Sequence, residues 1–307
     1  MSVASSTILV TGATGAQGGA TAAQLLAKGW RVRILARNPE AAAAQALARS
    51  GAQICQGDLG DVASLNRAMD GVQGVFSVQV PSFQNGDDAE RRHGFNLVNA
   101  ARQAGVNHFV HTSVCEAGKH LLFPDWQSDR WGSKYWTDKW DIEEAVRQAG
   151  FARWTVLKPA FMMDNYAQPK AAFMFPQLRQ GKILTAFLPE TRLQLTSADD
   201  VGAFARAAFE QPERFNRQNI DIAAEALTMS DVAATLSRVQ HRPVVATSVS
   251  PVEALAAGLF PGWVRTQEWA NVWGYRADIV ALAQWGVPLS SFTAWIGRHV
   301  ADIVIEG

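Results

Sequence analysis

Short apolar runs and longer helical periods alternate along the first half of the chain. Ile8-Leu9-Val10 is an unbroken apolar run, and an apolar stripe of helical spacing follows over residues 17–28. The same alternation repeats. Strands are predicted at the run ending near Arg37 and over residues 52–56, 74–80, 108–113 and 152–157, with helices over 39–50, 61–69, 87–104 and 135–148. Gly51, Gly71, Gly105 and Gly150 stand where helix C-termini favour glycine. Strands rich in Val, Ile and Phe, with helices between them, predict a parallel sheet covered on both faces. Right-handed crossovers then make it a doubly wound α/β (Rossmann) sheet.

Beyond Pro159 the alternation loosens. Helices are predicted over 198–210, 229–239, 251–259 and 266–272, with strands near 192–196 and 219–222. The expected organisation is a dinucleotide-binding domain over 1–158 and a smaller α/β lobe over 159–307 that binds substrate, with the segment near 192–210 returning to the core of the first domain. The exit from the last regular strand, Ala160-Phe161-Met162-Met163-Asp164-Asn165-Tyr166, is apolar and aromatic. An open α/β sheet places its ligand crevice at that edge. Pro81, Phe83, Phe161, Met162, Met163 and Tyr166 are therefore the expected wall of a hydrophobic pocket.

Between the first strand and the first helix lies Thr11-Gly12-Ala13-Thr14-Gly15-Ala16-Gln17-Gly18, three glycines spaced three apart. That order of strand, turn and helix is a pyrophosphate site: one glycine makes the turn, one admits the phosphate, and one lets helix and strand pack closely. The second strand ends about 20 residues later, where an acid would take a ribose 2′-hydroxyl. Arg37 stands there instead, with Arg33 on the same strand face. A guanidinium suits a 2′-phosphate, so NADP(H) is the expected cofactor.

Composition narrows the class further. Lys plus Arg and Asp plus Glu number 28 each, leaving no electrostatic footprint for nucleic acid or an anionic membrane. The first six residues have neither a charged n-region nor a long apolar segment, so a cytoplasmic location is expected. Cys55 and Cys115 are too few for a disulfide framework or a cysteine metal site, and His93 and His111 have no partners at metal-ligand spacing, so no metal is expected. Asp199-Asp200 reads as the acidic first turn of a helix capped near Ser197. Trp126, Trp131, Trp136 and Trp140 could wall a flat substrate or close a core.

The chemistry candidate is Tyr135 and Lys139, four apart at the start of a predicted helix and hence on one face. An ammonium beside a phenol favours the phenolate and lowers its pKa, which suits proton donation to a carbonyl oxygen. Ser113, at the carboxyl edge of the sheet, is placed to hydrogen-bond the same oxygen.

The glycine turn, the run Gly57-Asp58-Leu59, the Lys139-Trp140-Asp141-Ile142-Glu143 helix and the Leu157-Lys158-Pro159 to Asn165 exit resemble, over essentially the whole chain, the NmrA-like branch of atypical short-chain dehydrogenases/reductases. The resemblance implies that Gly12, Thr14, Gly15, Gln17 and Gly18 hold the pyrophosphate and Arg37 the 2′-phosphate. It places Asp58 and Leu59 beside the adenine, Val80 and Pro81 near the nicotinamide ribose, and Lys139 on that ribose. Such proteins often lack the Tyr of the Ser-Tyr-Lys set, which this chain retains as Tyr135.

The expected function is an NADPH-dependent reductase of a small or medium hydrophobic carbonyl or enone compound. Its partners are then that substrate and, in a homodimer, a second copy. A non-catalytic NADP(H)-sensing regulator is the alternative, and a nucleotide-sugar epimerase or dehydratase ranks third because the exit segment offers few polar groups to a sugar diphosphate.

Overall fold

The computed structural model describes residues 6–81 and 87–306. In chain order its first elements are β1 (Thr7–Val10), α1 (Ala16–Leu26), β2 (Arg31–Ala36), α2 (Ala42–Arg49), β3 (Gln53–Gln56), α3 (Val62–Ala68), β4 (Gly74–Ser77), α4 (Ala89–Gln103), β5 (His108–Thr112), α5 (Ser133–Gln148) and β6 (Arg153–Pro159). Then follow β7 (Phe161–Met162), α6 (Ala171–Met174), β8 (Lys182–Thr185), β9 (Leu193–Thr196), α7 (Ala198–Glu210), α8 (Pro212–Phe215), β10 (Gln218–Ile222) and β11 (Glu225–Leu227). The last are α9 (Met229–Gln240), β12 (Val245–Ser248), α10 (Pro251–Ala256), α11 (Pro261–Val272) and α12 (Phe292–Arg298).

The chain divides into two compact units. The first comprises Met1–Gly118, Lys134–Pro159 and Ala198–Asp221. Its sheet has the order β10-β6-β5-β4-β1-β2-β3, and the pairings from β3 through to β6 are parallel. The chain winds outward from β1 to β3, then returns to β4 on the other side of β1. The topological switch point thus falls between the carboxyl ends of β1 and β4, the place where such sheets open a ligand crevice.

Burial explains the strand composition. β4 and β5 are buried along their whole length and β1 over its last three residues, as a sheet covered on both faces requires. On one face Leu9, Leu35, Val75 and Phe109 pack with Leu65, Leu97 and Val146 of α3, α4 and α5. Against the other α1 and α7 are packed so closely that a Cβ on Gly202 would sit 2.8 Å from the carbonyl carbon of Ala20.

The second unit comprises Lys119–Ser133, Ala160–Ser197 and Ile222–Gly307. It therefore takes up residues 119–133, an excursion that the sequence pattern does not announce. It holds a three-stranded sheet, β11-β9-β7, and a parallel β8-β12 pair that the periodicity also misses. Capping boxes begin two of its helices: Thr228 and Asp231 form one on α9, and Ser250 and Glu253 another on α10.

Its core contains Phe161, Met163 and Tyr166, all buried. Phe161 stacks on Trp263 at 4.8 Å and Tyr166 on Phe175 at 4.4 Å. The expectation that these three line a substrate pocket is thereby corrected: an apolar run leaving a strand serves a core and a pocket equally well in sequence, and here it fills the core. Among the exit residues expected in that pocket, Met162 alone keeps an exposed part.

Two buried histidines of β5 should make the first unit sensitive to acid. Burial, reinforced by the charge of Arg153, lowers the His108 pKa to about 3, and burial with the charge of Lys139 lowers His111 to about 3. Each binds its proton in the unfolded chain near pH 6.5 but not in the folded one, so stability is full above that pH and declines as pH falls toward 3. The unfolding free energy from urea titration should drop between pH 7 and pH 5, by about 2 kcal/mol per histidine. His108→Leu should remove part of that dependence, and an unaltered dependence in this variant would refute the assignment.

Candidate active site

The turn after β1 is built by close backbone approach. Gly12 has a φ of +60°, and a Cβ there would lie 2.5 Å from Cγ1 of Val78 at the exit of β4. A Cβ on Gly18 would lie 2.3 Å from the carbonyl oxygen of Gly12, so α1 starts almost on top of the turn. Thr11, to which the sequence pattern assigns no part, locks the two strand ends: its hydroxyl donates to the Phe76 carbonyl at 3.2 Å and accepts from the Val78 amide at 3.0 Å.

Gly15 is the N-cap of α1, yet no side chain caps the helix and no acid stands in its first turn. The leading amides of an eleven-residue helix are thus left to a ligand, at its positive end. Gly12, Thr14 and Gly15 are exposed. These features fit the pyrophosphate of a dinucleotide. Gln17 faces inward instead, its Oε1 accepting from the Thr112 hydroxyl at 2.7 Å, which ties α1 to the carboxyl end of β5.

At the end of β2 the Arg37 side chain is 85% exposed, and its Nε lies 3.9 Å from Oδ2 of Asp58. Asp58 Oδ1 accepts from the Gly60 amide at 2.7 Å, and the Leu59 carbonyl accepts from Asn96 at 2.9 Å. A solvent-facing guanidinium at this position fits a 2′-phosphate. Arg33 has no part in that contact, because its guanidinium turns back to the carbonyls of Ala68 and Asp70, each at 2.7 Å, and closes the end of α3. The sequence spacing puts both arginines on one strand face, but β2 ends at Ala36, and the Arg33 guanidinium finds carbonyls at the end of α3 while Arg37, past the strand, stays in solvent. Val80 is exposed and Pro81 half-buried, while Phe83 lies outside the described residues.

Tyr135 and Lys139 do stand on one face of α5, with the Lys139 ammonium 5.8 Å from the Tyr135 ring centre. The ammonium is engaged elsewhere. It pairs at 2.6 Å with the carboxylate of Glu90 in the first turn of α4, and both side chains are almost fully buried. The Tyr135 phenol is pushed up, first by its own burial and then by the negative charge of Glu90, where the spacing alone leads one to expect Lys139 to pull it down. Beneath this group, His111 Nδ1 meets the Ser77 hydroxyl at 3.1 Å, and that hydroxyl accepts from Gln79 at 2.9 Å.

Ser113 is buried at the carboxyl end of β5, and its hydroxyl has no hydrogen-bond partner among the described residues. Burial pushes the Glu143 carboxyl up, and the charges of Lys158 and Arg147 partly hold it down. Arg147 lies 2.7 Å and Lys158 3.4 Å from that carboxylate, and Lys158 also donates to the Ala117 carbonyl at 2.5 Å. The four tryptophans divide between the units. Trp131 and Trp136 are buried, Trp126 packs on Phe123, and Trp140 lies under the Arg147 guanidinium. Cys115, Glu116 and Asp221 bring a thiol and two carboxylates within 4.8 Å of one another, a grouping their spacing in sequence does not announce.

The fold and the phosphate-fitting turn define a dinucleotide-binding α/β protein of the doubly wound type. The chain belongs to the NmrA-like family, whose model matches residues 4–272. It is 32% identical to the (4-alkanoyl-5-oxo-2,5-dihydrofuran-3-yl)methyl phosphate reductase of Streptomyces griseus, over 97% of this chain and all of that protein. Among solved structures it resembles the NADPH-dependent quinone oxidoreductase of Escherichia coli in complex with NADPH, at 23% identity and a TM-score of 0.74, covering 95% of this chain and 99% of that one. It equally resembles NmrA, a negative transcriptional regulator, in complex with NADP, at 20% identity and a TM-score of 0.75 over 98% and 97% of the two chains.

A Cβ on Gly15 would have a single neighbour, at 3.4 Å, so Gly15→Ala should fold with a stability within about 0.5 kcal/mol of the parent. The added methyl stands where phosphate must approach the helix amides, and NADPH affinity measured by calorimetry should fall by tenfold or more. Undiminished affinity would move the pyrophosphate away from this turn.

Proposed function

We propose that this protein is an NADPH-dependent reductase of a conjugated carbonyl compound, an enone or a quinone. The observation that carries the cofactor is the uncapped, acid-free N-terminus of α1 above the Gly12 turn, with the exposed Arg37 guanidinium beyond it. The full-length likeness to a reductase of a dihydrofuranone supports the reaction type and the acceptor class.

Bound NADPH supplies hydride. The α1 amides, with Gly12, Thr14, Gly15 and Gly18 at the turn, hold the pyrophosphate, and Arg37 holds the 2′-phosphate. Asp58 and Leu59 border the adenine, and Val80 and Pro81 the nicotinamide ribose. Lys139 orients that ribose. Tyr135 keeps its proton at neutral pH and donates it, or a hydrogen bond, to the oxygen on which negative charge develops. A phenol so reluctant to ionise is a weak acid catalyst. It suffices where the reduced acceptor spreads its charge through its own conjugation, and is poorly matched to a simple ketone, whose alkoxide needs a strong donor.

One observation favours a second reading, an NADP(H) sensor: the charge that would activate Tyr135 is spent on Glu90. NADPH oxidation followed by absorbance against enones, quinones, aldehydes and ketones separates the two. Turnover with conjugated acceptors is expected, reduced about tenfold or more in Tyr135→Phe with cofactor affinity retained. Tight binding with no turnover on any acceptor would establish the sensor. Arg37→Ala should weaken NADPH binding tenfold to a hundredfold, the equivalent of about 1.5–3 kcal/mol for a charged hydrogen bond, and leave NADH binding unchanged. Equal losses for both cofactors would remove Arg37 from the 2′-phosphate.

A further inference from the structure

Glu90 is one of the most deeply buried acids in the first unit, and neither the glycine turn nor the Tyr-Lys pair needs it. Its position is costly to an unpaired carboxylate. Two features offset that cost: the positive end of α4, in whose first turn it stands, and the Lys139 ammonium at 2.6 Å. The ammonium in turn has Tyr135 one helical turn back on α5, with 5.8 Å to its ring centre. From β5 the ring of His111 faces the same ammonium and is kept neutral by burial and by that charge; Arg147 and Lys158 act on it from farther off. On α5 itself, Asp138 is paired with Lys134. Among these groups Glu90 is the carboxylate in ion-pair contact with Lys139.

Resting on the reductase reading above, we propose that Glu90 is a positioning residue that masks Lys139: the buried ion pair withholds the ammonium's field from Tyr135 and restricts the site to acceptors that stabilise their own reduced charge. The Lys-Tyr spacing that would make a strong acid is present, and a third residue from another helix cancels it. Without the Glu90 charge the same lysine acts on the phenol alone, an opposite charge of the kind that lowers a pKa by about one to three units.

The test reads the phenol directly. The chain has three tyrosines, Tyr135, Tyr166 and Tyr275, so ionisation followed by absorbance at alkaline pH is assignable by comparison with Tyr135→Phe. In Glu90→Gln the Tyr135 midpoint should fall by one pH unit or more, and the ratio of simple-ketone to quinone turnover should rise several-fold, while Glu90→Asp restores the parent values. An unchanged Tyr135 midpoint in folded Glu90→Gln overturns the proposal. If Glu90→Gln does not fold, the parent protein decides: with isotope-labelled tyrosine, the Tyr135 resonance must hold its proton past pH 10, and ionisation at or below that value overturns the masking. Because the titration needs no substrate, absence of all turnover with the predicted shift in midpoint would defeat the reductase reading while sustaining the ion-pair role.

Discussion

The approach of α1 to the end of β1 is the constraint on which the rest of the first unit depends. A Cβ on Gly18 would lie 2.3 Å from the Gly12 carbonyl oxygen, so only a glycine there lets the helix begin this close to the turn. With the helix so fixed, its leading amides converge on one point, and Thr11 brings the end of β4 to the same point through a shared hydroxyl. Gln17 then reaches Thr112 and fixes the end of β5. Three strand ends are thereby indexed to one helix N-terminus. Any group delivered by β4, β5 or the helices that follow them is placed relative to the phosphate-binding turn.

Those following helices deliver charge in compensated pairs. Lys139 meets Glu90, and Glu143 meets Arg147 and Lys158. A buried ion pair contributes little net stability, because desolvation opposes the attraction, but removing one partner strands the other. The pairs therefore fix where charges sit more than they stabilise the fold. His111, kept neutral between them, adds hydrogen-bonding capacity without adding charge.

What the sequence makes legible is local. The strand, glycine turn and helix read directly because their requirements lie within one short segment, and α7 appears over Ala198–Glu210 as its apolar period predicts. The placement of Arg37 at a strand end is equally local. What the sequence conceals is which partner a long side chain finds. The spacing puts Arg33 and Arg37 on one strand face, yet one closes a helix end and the other stays in solvent, a choice made by carbonyls from a different part of the chain. Likewise the Tyr135-Lys139 spacing is visible, whereas Glu90 reads as an ordinary first-turn acid and only the crossing of α4 with α5 turns it toward the lysine. The apolar exit after β6 fails for another reason: burial in a core and lining of a pocket demand the same residue types, and only packing around Trp263 and Phe175 distinguishes them.

The two halves of the site consequently differ in how tightly chemistry is bound to motif. Phosphate recognition uses backbone amides and a helix end, so the glycines that permit the geometry also announce the function. Proton delivery uses side chains whose acidity is set by neighbours, so the same Tyr-Lys spacing supports a strong acid, a weak one or none, according to what faces the lysine. Proteins of one fold can then differ in what they do, as the similar structures named as a quinone oxidoreductase and as a transcriptional regulator illustrate. In this chain the group that faces the lysine is the Glu90 carboxylate, 2.6 Å from its ammonium.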